Sequence, residues 1–237
     1  MSNLVVLEHI ELVPVLELEP FKFATQSRSS PTRTGPGAPE EWHRYWMDSL
    51  ADSHLGRLRA LRRGGWHVPV AEFEDSMVLR RFLDVVIRDW GGVESLSDPG
   101  EILPLNGGLA LTCPDCDVLV EPQCCGDLGD AANWRTASGY RKIEWQMLWI
   151  GHPYVSVSYR SPWLILTDLH DSKHPEARWA VCPDELQRAA VAAEQELERF
   201  ARQISPILIS QGFKGDSNSM ARKLAGLEEG PFWELRG

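Results

Sequence analysis

The sequence predicts an α+β fold: an antiparallel meander sheet with about three helices packed mainly on one face. Three observations lead there. Apolar residues recur at helical intervals in three separate stretches. Between the second and third of these, short apolar runs alternate with Gly- and Pro-bearing turns, as consecutive antiparallel strands do. Finally, 43% hydrophobic and 24% charged residues in a chain of 237 suit a buried core.

Taken in order, Ile10, Leu12, Val15 or Leu16, and Leu18 lie among Glu11, Glu17 and Glu19, which predicts one or two strands with Pro14 as an edge or bulge marker. Residues 24–38 are polar and rich in Gly, Pro and Ser, a flexible loop. A helix opens at Pro39 with Glu40 and Glu41 in its first turn. Trp42, Trp46, Leu50, Leu55, Leu58 and Leu61 form its stripe, and Arg57, Arg59, Arg62 and Arg63 complement its C-terminal dipole before Gly64-Gly65. The second helix covers 76–90, capped by Ser76 and closed by Gly91-Gly92. Residues 101–112 read as two strands about Asn106-Gly107-Gly108. Further strands follow at 117–121, 142–150, 154–160, 163–169 and 178–181. In 154–160, Val155 and Val157 alternate with Ser156 and Ser158, a half-exposed pattern. The third helix starts at Cys182-Pro183 and runs to Pro206. The tail, 210–237, ends in Phe232, Trp233 and Leu235, which are expected to dock on the body of a single domain spanning 1–237.

The formal net charge of −10 is concentrated. Residues 68–130 hold 13 acids against Arg80, Arg81 and Arg88, whereas the stretches on either side are balanced. Such a field favours basic partners and disfavours nucleic acid. The N-terminus lacks a basic leading region, and Glu8, Glu11, Glu17 and Glu19 break its apolar run, so neither a signal peptide nor a membrane span is expected. Five cysteines, an odd number, point to reduced thiols in the cytoplasm. Ten tryptophans supply a large aromatic core, some of them free to act as binding anchors.

Two constellations carry candidate chemistry. Cys113-x-x-Cys116 followed by Cys124-Cys125 offers part of a zinc site, with His170, His174 or Cys182 as a distant fourth ligand. The adjacency of Cys124 and Cys125 weakens it, and buried small residues at strand ends explain the same pattern. Around these cysteines, Asp115, Asp117, Glu121, Asp127 and Asp130 form an acidic cluster with Trp134 close in sequence, a candidate partner-binding surface. No Walker loop, dinucleotide fingerprint, G-x-S-x-G elbow or H-E-x-x-H is present, so no catalytic residue is nominated.

The run from Pro122 through Cys124, Cys125, Gly126, Asp127 and Asp130 to Trp134, then Trp145 to Pro153, resembles small bacterial α+β proteins of toxin-immunity loci over residues 100–205. That resemblance implies a non-enzymatic cytoplasmic protein that binds and blocks a basic toxin. The alternatives are a zinc-binding domain or metalloenzyme on the four clustered cysteines, and a scaffold subunit that self-associates through its tryptophans.

Overall fold

The computed structural model describes residues 4–31, 38–97, 102–114, 116–172 and 175–227. The remainder of the tail, with Phe232, Trp233 and Leu235, and the centre of the expected 24–38 loop lie outside the described residues. The chain is α+β, but its described residues form two sheets and six α-helices where one meander and three helices were expected. It resolves into two compact units.

The first unit comprises residues 1–14, 104–198 and 225–237. Its five-stranded sheet is built from β1 (Val5–Leu7), β6 (Gln146–Leu148), β7 (Val155–Arg160), β8 (Trp163–Thr167) and β9 (Ala177–Val181), in the order β1-β9-β8-β7-β6. Strands β6 to β9 are an antiparallel meander, as expected, whereas β1 joins β9 in parallel. The Val/Ser alternation of β7 is not half-exposed: Val155, Ser156, Val157 and Ser158 are all buried. Their hydroxyls have internal partners, Ser158 Oγ donating to the Ile143 carbonyl at 2.8 Å and Ser156 Oγ meeting His170 Nε2 at 3.0 Å. A hydroxyl that is hydrogen-bonded can be buried cheaply, which period alone does not reveal.

A four-stranded sheet has the order β3-β2-β4-β5, from β2 (Glu11–Glu17), β3 (His67–Pro69), β4 (Gly107–Cys113) and β5 (Cys116–Val120). The hairpin expected about Asn106-Gly107-Gly108 lies instead between β4 and β5, where Cys113 and Cys116 are partners in register. Residues 107–113 form one continuous, mostly buried strand.

The second unit comprises residues 15–103 and 199–224. After a short helix α1 (Pro20–Phe23), α2 (Ala38–Asp52) stops eleven residues short of its expected end at Arg63. His54 takes the left-handed conformation (φ 58°), and Leu55 N donates to the Leu50 carbonyl at 2.8 Å. This is the closing pattern of a helix whose terminal residue is usually glycine. The arginines beyond it therefore do not serve a helix dipole: Arg57 pairs with Asp75 at 2.5 Å, and Arg63 with Glu40. Helix α3 (Ser76–Asp89) is capped by Asp75, whose carboxylate accepts from Met77 N at 2.8 Å, one residue before the expected Ser76. The core of this unit packs Phe23, Phe73, Phe82 and Phe200 together, and the Trp46 indole donates to the Leu18 carbonyl at 2.9 Å.

Two more helices complete the described chain beside a short one in the first unit. Helix α4 (Ala131–Ser138) was not expected, since eight residues with few aliphatics carry little periodic signal. Helix α5 (Pro183–Ser210) begins where expected but continues through Pro206, because Ile207 and Leu208 extend its buried face. Helix α6 (Ser217–Leu224) follows, tied by Ser217 to Ser205 at 3.0 Å.

Candidate functional site

The segments of the 122–153 run converge in the first unit. Gln123–Gly126 is a turn closed by Gly126 N donating to the Gln123 carbonyl at 3.0 Å. It lies against 150–152, with Gln123 N on the Ile150 carbonyl at 2.7 Å and His152 N on the Cys124 carbonyl at 3.0 Å. Gly151 makes this approach possible. A Cβ there would sit 2.3 Å from the Gln123 oxygen, and its φ of 95° disfavours any side chain.

Asp127 and Asp130 form a capping box ahead of α4: Asp127 Oδ1 accepts from Gly129 N at 2.8 Å, and Asp130 Oδ2 accepts from Asp127 N at 3.2 Å. Asp130 is buried, and its other oxygen accepts from Asn133 Nδ2 at 3.1 Å. The same Asn133 amide donates to the Trp149 carbonyl at 3.0 Å, so the helix, the cap and the 149–152 segment are one hydrogen-bonded assembly.

These placements locate part of the expected acidic surface. Trp134 is fully buried, and Asp130 and Glu121 are buried as well, so none of the three is presented to a partner. Asp130 is drawn inward because a cap needs a carboxylate over free amides. Asp127 is half-buried in the same cap. Asp115 and the side chains of Asp117 and Cys116 lie outside the described residues.

The exposed acids of this unit lie elsewhere. Asp168, Asp171 and Glu176 are exposed in the stretch after β8. Asp171 Oδ1 pairs with His152 Nε2 at 3.0 Å, and His170 stands edge-on to Tyr154 with ring centroids 4.9 Å apart. The first unit as a whole carries 19 acidic and 8 basic residues, the second 15 and 16. The entire charge excess is thus a property of one unit. Its boundary falls elsewhere than the 68–130 window, and only the fold draws it.

The cysteines divide. Cys113 is disulfide-bonded, against the expectation of reduced thiols throughout, and its sulfur is thereby not a thiolate ligand. Cys124 and Cys125 are free and exposed, with Cys124 Sγ donating to the His152 carbonyl at 3.0 Å and Cys125 in the left-handed region. Cys182 is free at the start of α5. Among the described residues no group of three or more His, Cys, Asp or Glu is arranged to hold a metal ion. His174 lies outside the described residues.

Between α4 and β6 lies a cavity of about 420 Å³. Asn133, Thr136 and Tyr140 line one side with Ala137, and Gln146, Met147, Leu148, Trp149 and Val157 the other. Tyr140 donates its phenol to the Glu144 carbonyl at 2.9 Å, and burial, with the Glu144 carboxylate nearby, raises its pKa above the ordinary value. Met147, in the lining and on the edge strand β6, is 49% exposed, and Ile143, in the loop before that strand, is 75% exposed.

The sequence singled out neither this cavity nor the acids after β8. The one legible signal was the clustering of Tyr140, Trp145 and Trp149 with exposed-type neighbours.

No protein-family model, no curated protein and no solved structure matches the chain. Among the described residues, no helix is long and apolar enough to cross a membrane.

Proposed function

We propose that this chain is a cytoplasmic binding protein of the immunity type, which occupies and blocks a basic protein partner through its first unit. The observation that carries the reading is the confinement of the negative charge to the unit that also holds the cavity and the exposed Ile143 and Met147. A negative field speeds the encounter with a positively charged surface, and a few apolar anchors in a pocket then hold it. Toxins that act on nucleic acid need such a positive surface to hold phosphate. The contact residues move from the buried Glu121, Asp130 and Trp134 to Asp168, Asp171 and the rim of the cavity.

The test is capture of partners from a lysate of the source organism, with the wild-type chain and with an Asp168→Arg/Asp171→Arg variant, at low and high salt. One near-stoichiometric basic protein, lost at high salt and depleted by the variant, is the expected result. Equal capture of that protein by the variant would remove this surface from the reading.

A further inference from the structure

We propose that the cavity between α4 and β6 is a small-molecule site for an unphosphorylated nucleobase compound, a flat, uncharged heterocycle that both donates and accepts hydrogen bonds. At about 420 Å³ it falls within the roughly 300–1,000 Å³ that small-molecule sites occupy. None of its lining residues is charged. The Asp130 carboxylate lies behind Asn133, with its oxygens on the Asp127 and Asn133 N–H groups, and is not part of the lining. An ion entering this space would lose water and find no counter-charge, so the lining selects a neutral ligand.

Both acceptors and donors are left unspent around the cavity. Asn133 Nδ2 donates to Asp130 and to the Trp149 carbonyl, Thr136 Oγ1 to the Ala132 carbonyl at 3.0 Å, and Tyr140 Oη to the Glu144 carbonyl. These three side chains keep acceptor oxygens. Gln146 Nε2 reaches only the Met147 carbonyl, at 3.5 Å, and the Trp149 indole N–H has no partner among the described residues, so these two keep donors. A ligand that only donates, or only accepts, leaves part of this set unmet. A nucleobase carries both kinds of group on one rigid plane. Guanine does so with N–H groups at N1 and N2 and acceptors at O6 and N7, which suits a lining with more acceptors than donors. Tyr140 and Trp149 add aromatic surface, and every base has a π-face to set against it.

The charge of the first unit decides between a nucleoside and a nucleotide. With 19 acidic and 8 basic residues it repels a phosphate, and no lysine or arginine lines the cavity to hold one. The inference goes beyond the protein-binding reading above and does not depend on it.

The probe is guanosine, followed by the Trp149 indole N–H resonance of the whole chain. Guanosine 5′-monophosphate, which adds charge, and 1-methylindole, which is flat but offers no polar edge, are the controls. The expected result is a saturable shift with guanosine and binding about tenfold weaker for either control. Gln146→Leu, at an exposed position, should weaken guanosine about fivefold and leave 1-methylindole unchanged. A Trp149 resonance indifferent to guanosine, a control that binds as well as guanosine, or undiminished guanosine binding by Gln146→Leu overturns the proposal. A guanosine-binding chain that captures no basic partner would sink the immunity reading alone.

Discussion

Arg28 and Asp52 meet as a two-pronged ion pair, with Arg28 Nη2 2.7 Å from Asp52 Oδ1 and Arg28 Nη1 on Asp52 Oδ2. The same carboxylate accepts from Thr25 N at 3.0 Å and Gln26 N at 3.2 Å. The front of a Gly/Pro/Ser-rich stretch is thereby fastened to the end of α2. The Arg28 hydrogen bond, and then the two backbone amides, hold Asp52 well below the usual carboxylate range. A carboxylate whose folded pKa is depressed stabilises the fold fully above its unfolded pKa, and this contribution is lost as pH falls through the folded value. Urea unfolding of the wild type and of Asp52→Asn should therefore differ at pH 7 and converge as the medium is acidified below about pH 4. A gap that persists in acid would show that the pair's charge is not what matters.

Gly151→Ala is expected to be among the most damaging single-methyl changes. The added carbon meets the Gln123 oxygen at 2.3 Å and sits on a φ of 95°. The conformational penalty alone is about 1–2 kcal/mol, and relief of the clash must open the 123–126 turn. Thermal melting measures the loss, and Gly91→Ala, whose Cβ would meet nothing within 4 Å, is the control at a similar φ of 102°.

Trp134→Ala should cost about 3–5 kcal/mol, as expected for a fully buried indole. Trp145→Ala, at a half-buried position, should cost far less. Denaturant midpoints of the two variants test this ordering. Comparable losses would mean that the interior of α4 is not where the first unit gains its packing.

Thiol labelling of the native chain should separate the cysteines. Cys124 and Cys125 are exposed and should react first with a maleimide, Cys182 more slowly, and Cys113 only after reduction and unfolding. Peptide mapping at short times reads this order. Early label on Cys113 would contradict its disulfide.

What the sequence disclosed depended on whether one residue carried the signal alone. Helix α3 was legible because its stripe of Val78, Leu79, Phe82 and Leu83 needs no partner to be recognised. The end of α2 was not, because His54 performs a turn that glycine usually marks, while Leu55 and Leu58 keep the helical spacing beyond it. The charge bias was legible and its location was not. Asp130 and Glu121 count as surface acids in any composition, yet both are buried, one of them by the cap it forms. The cavity depends on α4 standing near β6, two short elements more than seven residues apart in sequence, and no local pattern encodes that meeting.

The chain passes between its two units four times, first within strand β2, then after Leu103, within helix α5 and after Leu224. Neither unit is therefore encoded by one uninterrupted stretch. During synthesis the second unit lacks a piece until residues 199–224 have emerged, although its first eighty-nine residues left the ribosome long before. The first unit waits longer still, for Gly226, which fits so closely against Leu128 that a Cβ there would stand 2.2 Å from the Leu128 carbonyl carbon. A ribosome stalled before residue 199 holds two unfinished units rather than one finished one.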